Sequence, residues 1–208
     1  MDTRLKMKSS MTLSGPSQSG KSTFTHSLLA LKDIIFDEPP SKIYYYYGAF
    51  DPTLLKKPYI LEEGLPESFD HVEQGSVVVL DDLMEETASN KQVTALYTKD
   101  VHHKNLFVIN LTQNFFQRSE NSRTQRLNSQ YIVLFKNPSD ATQINMISRQ
   151  MYPATPYFLS LIYAEATRRP HGYVFIDLRQ ETPEKWRVRT NILEHEFPQQ
   201  FFVNCKHK

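Results

Sequence analysis

The sequence predicts an α/β protein built on a central, mostly parallel β-sheet, and three stretches carry that prediction. In Met11–Thr23, MTLSGPSQSGKST, an apolar run meets a glycine-bearing turn and then the apolar-patterned segment Phe24–Leu31. In Ser76–Leu83, SVVVLDDL, the unbroken apolar run Val77–Leu80 is that of a strand covered on both faces. Leu106–Leu111, LFVINL, is a second run of the same kind. Buried strands alternating with helical patterns indicate parallel pairing, because a parallel pair needs a crossover long enough to hold a helix.

Bulk properties bound the answer. The 208 residues suit one α/β unit spanning 1–208, with a core over about 5–152 and a helix and strand pair over about 155–195. A hydrophobic share of 39%, with 11 Tyr and 13 Phe, is that of a chain able to bury a core. Lys and Arg total 24 against 23 Asp and Glu, a net charge of +1 that neither suggests nor excludes nucleic acid. The single cysteine, Cys205, rules out an intramolecular disulfide and a cysteine-rich metal site, as suits a reducing compartment. No apolar run approaches the ~18 residues of a membrane span, so no membrane association is expected. The opening MDTRLKMKSS lacks an apolar core, so secretion is not expected, and Gly15 leaves little room before it for another domain.

The first of the three stretches contains G-x-x-x-x-G-K-S, Gly15 to Ser22, between a strand and a helix, the context that a phosphate-binding loop requires. Gly15 and Gly20 are expected to adopt backbone angles closed to other residues and to let amides approach phosphate. Across Gly15, Pro16, Ser17, Gln18, Ser19, Gly20, Lys21, Ser22 and Thr23 the loop would hold a nucleoside triphosphate. Lys21 would reach the β- and γ-phosphates and Ser22 would hold Mg²⁺. The helix behind the loop turns its unpaired amides and positive dipole end to the anion.

The elements follow in order. Leu5–Leu13 predicts the first strand and Lys21–Leu31 the helix, ended before Pro39–Pro40. Lys42–Ala49, KIYYYYGA, reads as a strand. Its tyrosines, Tyr44 to Tyr47, fit either a half-buried strand or a platform for stacked bases. Leu54–Pro66 is punctuated loop with a short extended piece at Tyr59–Glu62. Thr87–Tyr97 is patterned as a helix, and His102–His103 fall in a loop after it. The histidines lack the spacing and partners of a zinc site and suit a place near the nucleotide or a neighbouring subunit. Phe115–Asn128 reads as an irregular polar loop bearing Arg118, Arg123 and Arg126 with Glu120 opposing. Such a loop suits an arginine finger, DNA contacts or plain solvation. Tyr131–Phe135 is the next strand, Asp140–Tyr152 a helix capped by Ser139, and Tyr157–Thr167 another stopped by Pro170. Gly172–Leu178 and Trp186–Ile192 form a C-terminal β-hairpin extension, and Asn204–Lys208 is a basic tail.

Chemistry concentrates at strand ends. Asp81 and Asp82 stand at the C-terminal end of a buried strand, where open α/β sheets place their ligands. Adjacent carboxylates there are costly unless a cation or substrate uses them, although a solvated Asp-Asp turn is the plainer alternative. The expected division gives Asp81 to Mg²⁺ and Asp82 to orienting or deprotonating a water. Gln113, at the end of LFVINLT, could hydrogen-bond both a γ-phosphate and that water, or merely cap its loop.

GPSQSGKST, VVVLDDL, VHHKNLFVINLTQNFF, SRTQRLNSQYIVLFKNPSD and ISRQMYP together resemble the genome-packaging ATPases of double-stranded DNA viruses in the FtsK/HerA superfamily. The resemblance is to the short enzymes of Maverick/Polinton elements and adintoviruses, with the poxvirus packaging ATPase more distant, and it covers nearly the whole chain. It implies a RecA-like P-loop NTPase core that forms a homo-oligomeric ring, hexamer or pentamer. Such a ring hydrolyses ATP with Mg²⁺ to drive double-stranded DNA into a capsid, docked on a capsid or portal protein. By position it implies catalytic roles for Lys21, Asp82, Gln113 and Arg123, Arg123 being the finger, with Ser22 and Asp81 at the metal. It implies a place in the infected host cell, in the nucleus or a cytoplasmic virus factory, or with the virion. Lys99-Asp100-Val101 stands where members commonly carry glycine and serine before the paired histidines. A nucleoside or small-molecule kinase and an ATP-gated capsid assembly subunit are the alternatives. Paired carboxylates followed by a strand ending in Gln113 argue for hydrolysis.

Overall fold

A computed structural model of the chain describes residues 2–83, 86–87, 90–116, 120–193 and 199–201. The strands are β1 (Ser9–Ser14), β2 (Ile43–Tyr47), β3 (Ile60–Glu63), β4 (Val77–Asp81), β5 (Phe107–Thr112), β6 (Tyr131–Phe135), β7 (Tyr173–Asp177), β8 (Val188–Thr190) and β9 (Gln199–Phe201). Among the described residues they form one sheet in the order β3-β2-β4-β5-β1-β6-β7-β8-β9. The six strands from β3 to β6 are mutually parallel, and β7, β8 and β9 continue the sheet antiparallel. The expected α/β class, with a mostly parallel sheet and C-terminal strands, is the architecture observed.

Both faces of the sheet are covered, which is why its central strands are apolar without alternation. On one face α1 (Lys21–Ala30) buries Phe24, Leu28 and Leu29 against Met11, Leu13, Val133 and Phe135. Each such fully buried Leu or Phe contributes about 1.5–3 kcal/mol relative to leaving it in water. A short helix, α2 (Lys32–Ile35), follows, and Leu5 bridges to Phe36 beneath it. On the opposite face the helix Lys91–Ala95 continues through a π-helical turn, Leu96–Asp100, into Val101–His103. It packs Val93, Leu96, Tyr97 and Val101 on Val78, Leu80 and Val108. Thr142–Met151 and Phe158–Ala166 cover β6 to β8 on that face through Ile144, Ile147, Leu159 and Ile162.

Of the two readings of the tyrosine run, the strand holds: Tyr44, Tyr45 and Tyr46 are buried core side chains and not a platform for bases. Other local expectations are corrected. Arg123 and Arg126 sit on a helix, Glu120–Leu127, in place of the irregular loop. That helix lacks an apolar stripe, and polar contacts seat it: Gln125 Nε2 donates to the Thr87 carbonyl at 2.8 Å, and Ser129 Oγ meets Thr12 Oγ1 at 2.7 Å. His102 and His103 end a helix, because the π turn prolongs it beyond Tyr97. His102 lies beside Lys6 and Ser9, at the foot of β1 and far from the loop at its other end. Ser139 does not cap the 142–151 helix: Ala141 is its N-cap and offers no side-chain bond, while Asp140, one residue earlier, accepts from the Thr142 amide through Oδ1 at 3.0 Å. The β7–β8 pair forms as expected, with a one-turn helix, Glu184–Arg187, inside the connection. Buried Asp177 ties this extension together by accepting from Arg179 Nε at 3.0 Å and Nη2 at 2.9 Å. No helix of the described residues is long and apolar enough to cross a membrane.

Candidate functional site

β5 separates β1 from β4, so the ends of three neighbouring strands present the glycine loop, Gln113 and Asp81–Asp82 side by side. Between them lies a cleft of about 230 Å³ lined by Ser17, Gln18, Lys21, Ser22, Asp81, Asp82 and Gln113. Residues as far apart in sequence as Ser17 and Gln113 converge there at the C-terminal edge of the parallel strands, where such sheets place ligands.

The loop is built for an anion. Gly20 has φ 105°, a left-handed conformation natural to glycine, and starts α1 with no side-chain cap and no acidic residue in the first turn. The first amides of α1 therefore lack an intrahelical or side-chain partner and face the cleft edge with the positive dipole end. Gly15 is needed for a different reason from the one expected. Its φ is not in the left-handed range; a Cβ there would lie 2.7 Å from that of Phe135 and 2.8 Å from Ser19 Oγ. Close approach to β6 excludes a side chain at Gly15. His171 supports the loop from outside, its Nδ1 lying 3.2 Å from the Ser19 carbonyl and its ring against Gly20.

Lys21 Nζ donates to the carbonyls of Gly15 at 2.6 Å and Pro16 at 2.9 Å. An ammonium has three protons, so one donor remains for a phosphate oxygen while the other two fix the loop. Burial lowers the Lys21 ammonium from its ordinary range, opposed by the charges of Asp81 and Asp82. Ser22 Oγ donates to Asp81 Oδ2 at 3.2 Å, joining the loop to the β4 carboxylate. Tyr45 donates to the same Oδ2 at 2.5 Å. Burial and the Asp81 charge push the Tyr45 phenol upward, so it remains the donor. His26, behind Ser22 on α1, stacks on Tyr45 with ring centroids 5.6 Å apart, and burial pushes it below its ordinary value. The imidazole is therefore neutral near pH 7 and adds no cation to the cleft.

Asp82 turns the chain out of β4. It has φ 55° and an exposed side chain, a left-handed conformation that Asp adopts more readily than most residues. Gln113, also exposed, stands at the tip of β5 beside Thr112. One serine hydroxyl and two carboxylates make a hard-oxygen set of the kind that holds Mg²⁺ together with substrate phosphates. No group of three or more His, Cys, Asp and Glu among the described residues could cage a metal by itself. The donors thus fit a cation shared with a phosphate better than a structural metal.

The remaining sequence candidates lie elsewhere. Ser19 is partly buried beneath the loop, and Thr23 is exposed and not among the cleft-lining residues. Arg123 is exposed on its helix and does not line this chain's own cleft. Arg126 is partly buried, its guanidinium 4.8 Å from the Phe116 ring centre and 5.8 Å from that of Phe115. It is a packing cation and not the freely projecting one expected of a DNA contact. Arg118 falls outside the described residues. Sequence reading missed Tyr45, His26 and His171. Only the first carried a signal, as a polar-tipped residue in a strand that pairs beside β4.

No protein-family model matches the chain, and no curated protein matches it. Solved structures do. The chain is similar to the genome packaging NTPase B204 from Sulfolobus turreted icosahedral virus 2 in complex with sulfate, at 14% identity and a TM-score of 0.53, covering 88% of this chain and 95% of that one. For the same protein in complex with ATP-γS the values are 14% and 0.50, over 88% and 96%. For B204, the DNA-packaging ATPase from Sulfolobus turreted icosahedral virus, they are 12% and 0.56, over 89% and 98%. The chain has the fold of these proteins along nearly its whole length.

Proposed function

We propose that the cleft binds ATP with Mg²⁺ and hydrolyses it, and that hydrolysis drives double-stranded DNA into a viral capsid. The observation that carries this reading is the meeting of Lys21, Ser22, Asp81, Asp82 and Gln113 in one cleft at the uncapped start of α1. The fold is that of genome packaging NTPases, one of them bound to ATP-γS, and this supports the choice of nucleotide and of task.

In this mechanism the α1 amides and Lys21 bind the β- and γ-phosphates and neutralise charge as it shifts to the leaving oxygen. Ser22 and Asp81 would hold Mg²⁺, which would supply positive charge to offset that of the phosphates. Asp82 accepts a hydrogen bond from a water and aligns it with the γ-phosphorus. The water oxygen bonds to that phosphorus, the bond to the β–γ bridging oxygen breaks, and the proton passes to Asp82. Gln113 orients the same water through its carbonyl while its amide group reads the γ-phosphate. Arg123, outside its own cleft, acts on a neighbour's in a homo-oligomeric ring, and the ring docks on a capsid or portal protein in the infected cell.

A DNA-stimulated ATPase assay tests the reading. Phosphate release from ATP that rises with double-stranded DNA supports it. Transfer to a metabolite would indicate a kinase, and nucleotide binding without turnover an assembly subunit; either would overturn it.

A further inference from the structure

Asp81 is gripped on one oxygen. Ser22 Oγ and the Tyr45 hydroxyl both donate to Oδ2, at 3.2 Å and 2.5 Å, while Oδ1 has no hydrogen-bond partner among the described residues. The register explains how Tyr45 reaches: Tyr45 pairs with Val79 and Tyr47 with Asp81, so Tyr45 and Asp81 are diagonal neighbours on one face of the sheet. Tyr46 points to the opposite face, where its hydroxyl lies 2.8 Å from His71 Nε2.

The Tyr45 ring is held independently of the carboxylate. It has no exposed surface, and it stacks on Tyr59 with centroids 5.5 Å apart and planes within 2°. His26 stacks on both rings, and its Nδ1 lies 3.3 Å from the Tyr59 hydroxyl. The three rings therefore form a rigid backing, and the Tyr45 hydroxyl is the tip that meets Asp81. A carboxylate turns easily about its last torsion, and a single 3.2 Å bond from a serine would leave that rotation weakly restrained.

We propose that Tyr45 is a positioning residue for the metal-holding carboxylate. Its hydroxyl fixes Asp81 Oδ2 so that Oδ1 stays turned toward the cleft, where a divalent cation bound with the nucleotide needs an oxygen. The inference rests on the assignment of Asp81 to the metal. Loss of such an orienting partner weakens metal affinity about 10–100-fold in comparable sites.

Tyr45→Phe removes the hydroxyl and keeps the ring and its stack, so the fold is retained. Mn²⁺ binding to the full chain with ATP-γS, followed by electron paramagnetic resonance, should weaken about 10-fold or more, with metal-free nucleotide affinity unchanged. The Mg²⁺ concentration for half-maximal turnover should rise in step, with a smaller loss of kcat at saturating Mg²⁺. Tyr46→Phe is the matched control and should leave Mn²⁺ affinity unchanged. If Asp81→Asn weakens Mn²⁺ binding while Tyr45→Phe does no more than Tyr46→Phe, the positioning role is overturned and the metal assignment stands. If Asp81→Asn itself leaves Mn²⁺ affinity intact, the metal assignment fails and takes this inference with it.

Discussion

A Cβ added to Gly48 would lie 2.2 Å from the carbonyl oxygen of Asp82. The Gly48 amide also donates to the Asp81 carbonyl at 2.9 Å, so the chain leaving β2 presses on the turn that carries both carboxylates. Asp82 holds its left-handed conformation against this contact. The placement of the proposed base thus depends on a glycine that touches no ligand. Gly48→Ala should push the Asp82 backbone aside and destabilise the protein by about 1–3 kcal/mol, the usual cost of overpacking. Hydrolysis should fall far more than nucleotide affinity. Parallel losses in turnover and in binding of a fluorescent ATP analogue would refute this account.

Asp82→Asn isolates the carboxylate from the turn. Asparagine tolerates the left-handed region, so the backbone should hold while the proton acceptor is lost. Turnover should drop by a factor on the order of 10² or more, with ATP affinity nearly unchanged. Single-turnover kinetics beside equilibrium binding would check it. A parallel fall in both would make Asp82 a binding group.

Lys21→Ala should abolish turnover, because the phosphates lose their fixed cation and the loop loses two hydrogen bonds from Nζ. Near-normal phosphate release from this variant would overturn the assignment of the loop.

The elements most legible in the sequence are those set by burial. Val77–Leu80 and Leu106–Leu111 announce central strands because both sheet faces are covered, and the G-x-x-x-x-G-K-S spacing places the loop between strand and helix. β1 was harder to delimit. It begins at Ser9, and its buried Ser10 is satisfied at long range by the Asn128 carbonyl at 2.9 Å and Gln130 Oε1 at 3.2 Å. The Glu120–Leu127 helix left no apolar pattern for the same reason, since polar side chains seat it. Tyr45 and Asp81 are 36 residues apart, and no local spacing links them. Only the β2–β4 register brings them together.

Arg126 and Arg123 share a helix and should behave differently. Arg126→Ala removes a guanidinium packed on Phe116 and Phe115, a contact worth roughly 0.5–1 kcal/mol at a partly exposed site. That amounts to a fall of about 1–4 °C in Tm for a chain of this size. Arg123→Ala should not move the melting point, because the side chain is exposed. Thermal melts of the two variants measure the difference directly. An unchanged Tm for Arg126→Ala would mean the ring contacts contribute nothing to the folded state.

The exposure of Arg123 away from its own cleft also sets up the last prediction. A finger acting in trans leaves its own subunit's nucleotide affinity intact and acts on the adjacent site, so Arg123→Ala should bind ATP normally yet hydrolyse it about 10³-fold more slowly. Lys21→Ala is defective in the opposite half of the same interface, having the finger without the loop cation. Each variant should be nearly inactive alone. In mixed rings, however, some interfaces join the intact Lys21 of one subunit to the intact Arg123 of the next, and partial activity should return with a maximum at intermediate ratios. Turnover per subunit should likewise rise with protein concentration as rings assemble. Sedimentation run beside the assay establishes that mixed assemblies form. If they form and no ratio restores activity, Arg123 acts within its own subunit or only on structure, and the trans assignment falls while the cleft formed by Lys21, Asp81 and Asp82 is untouched.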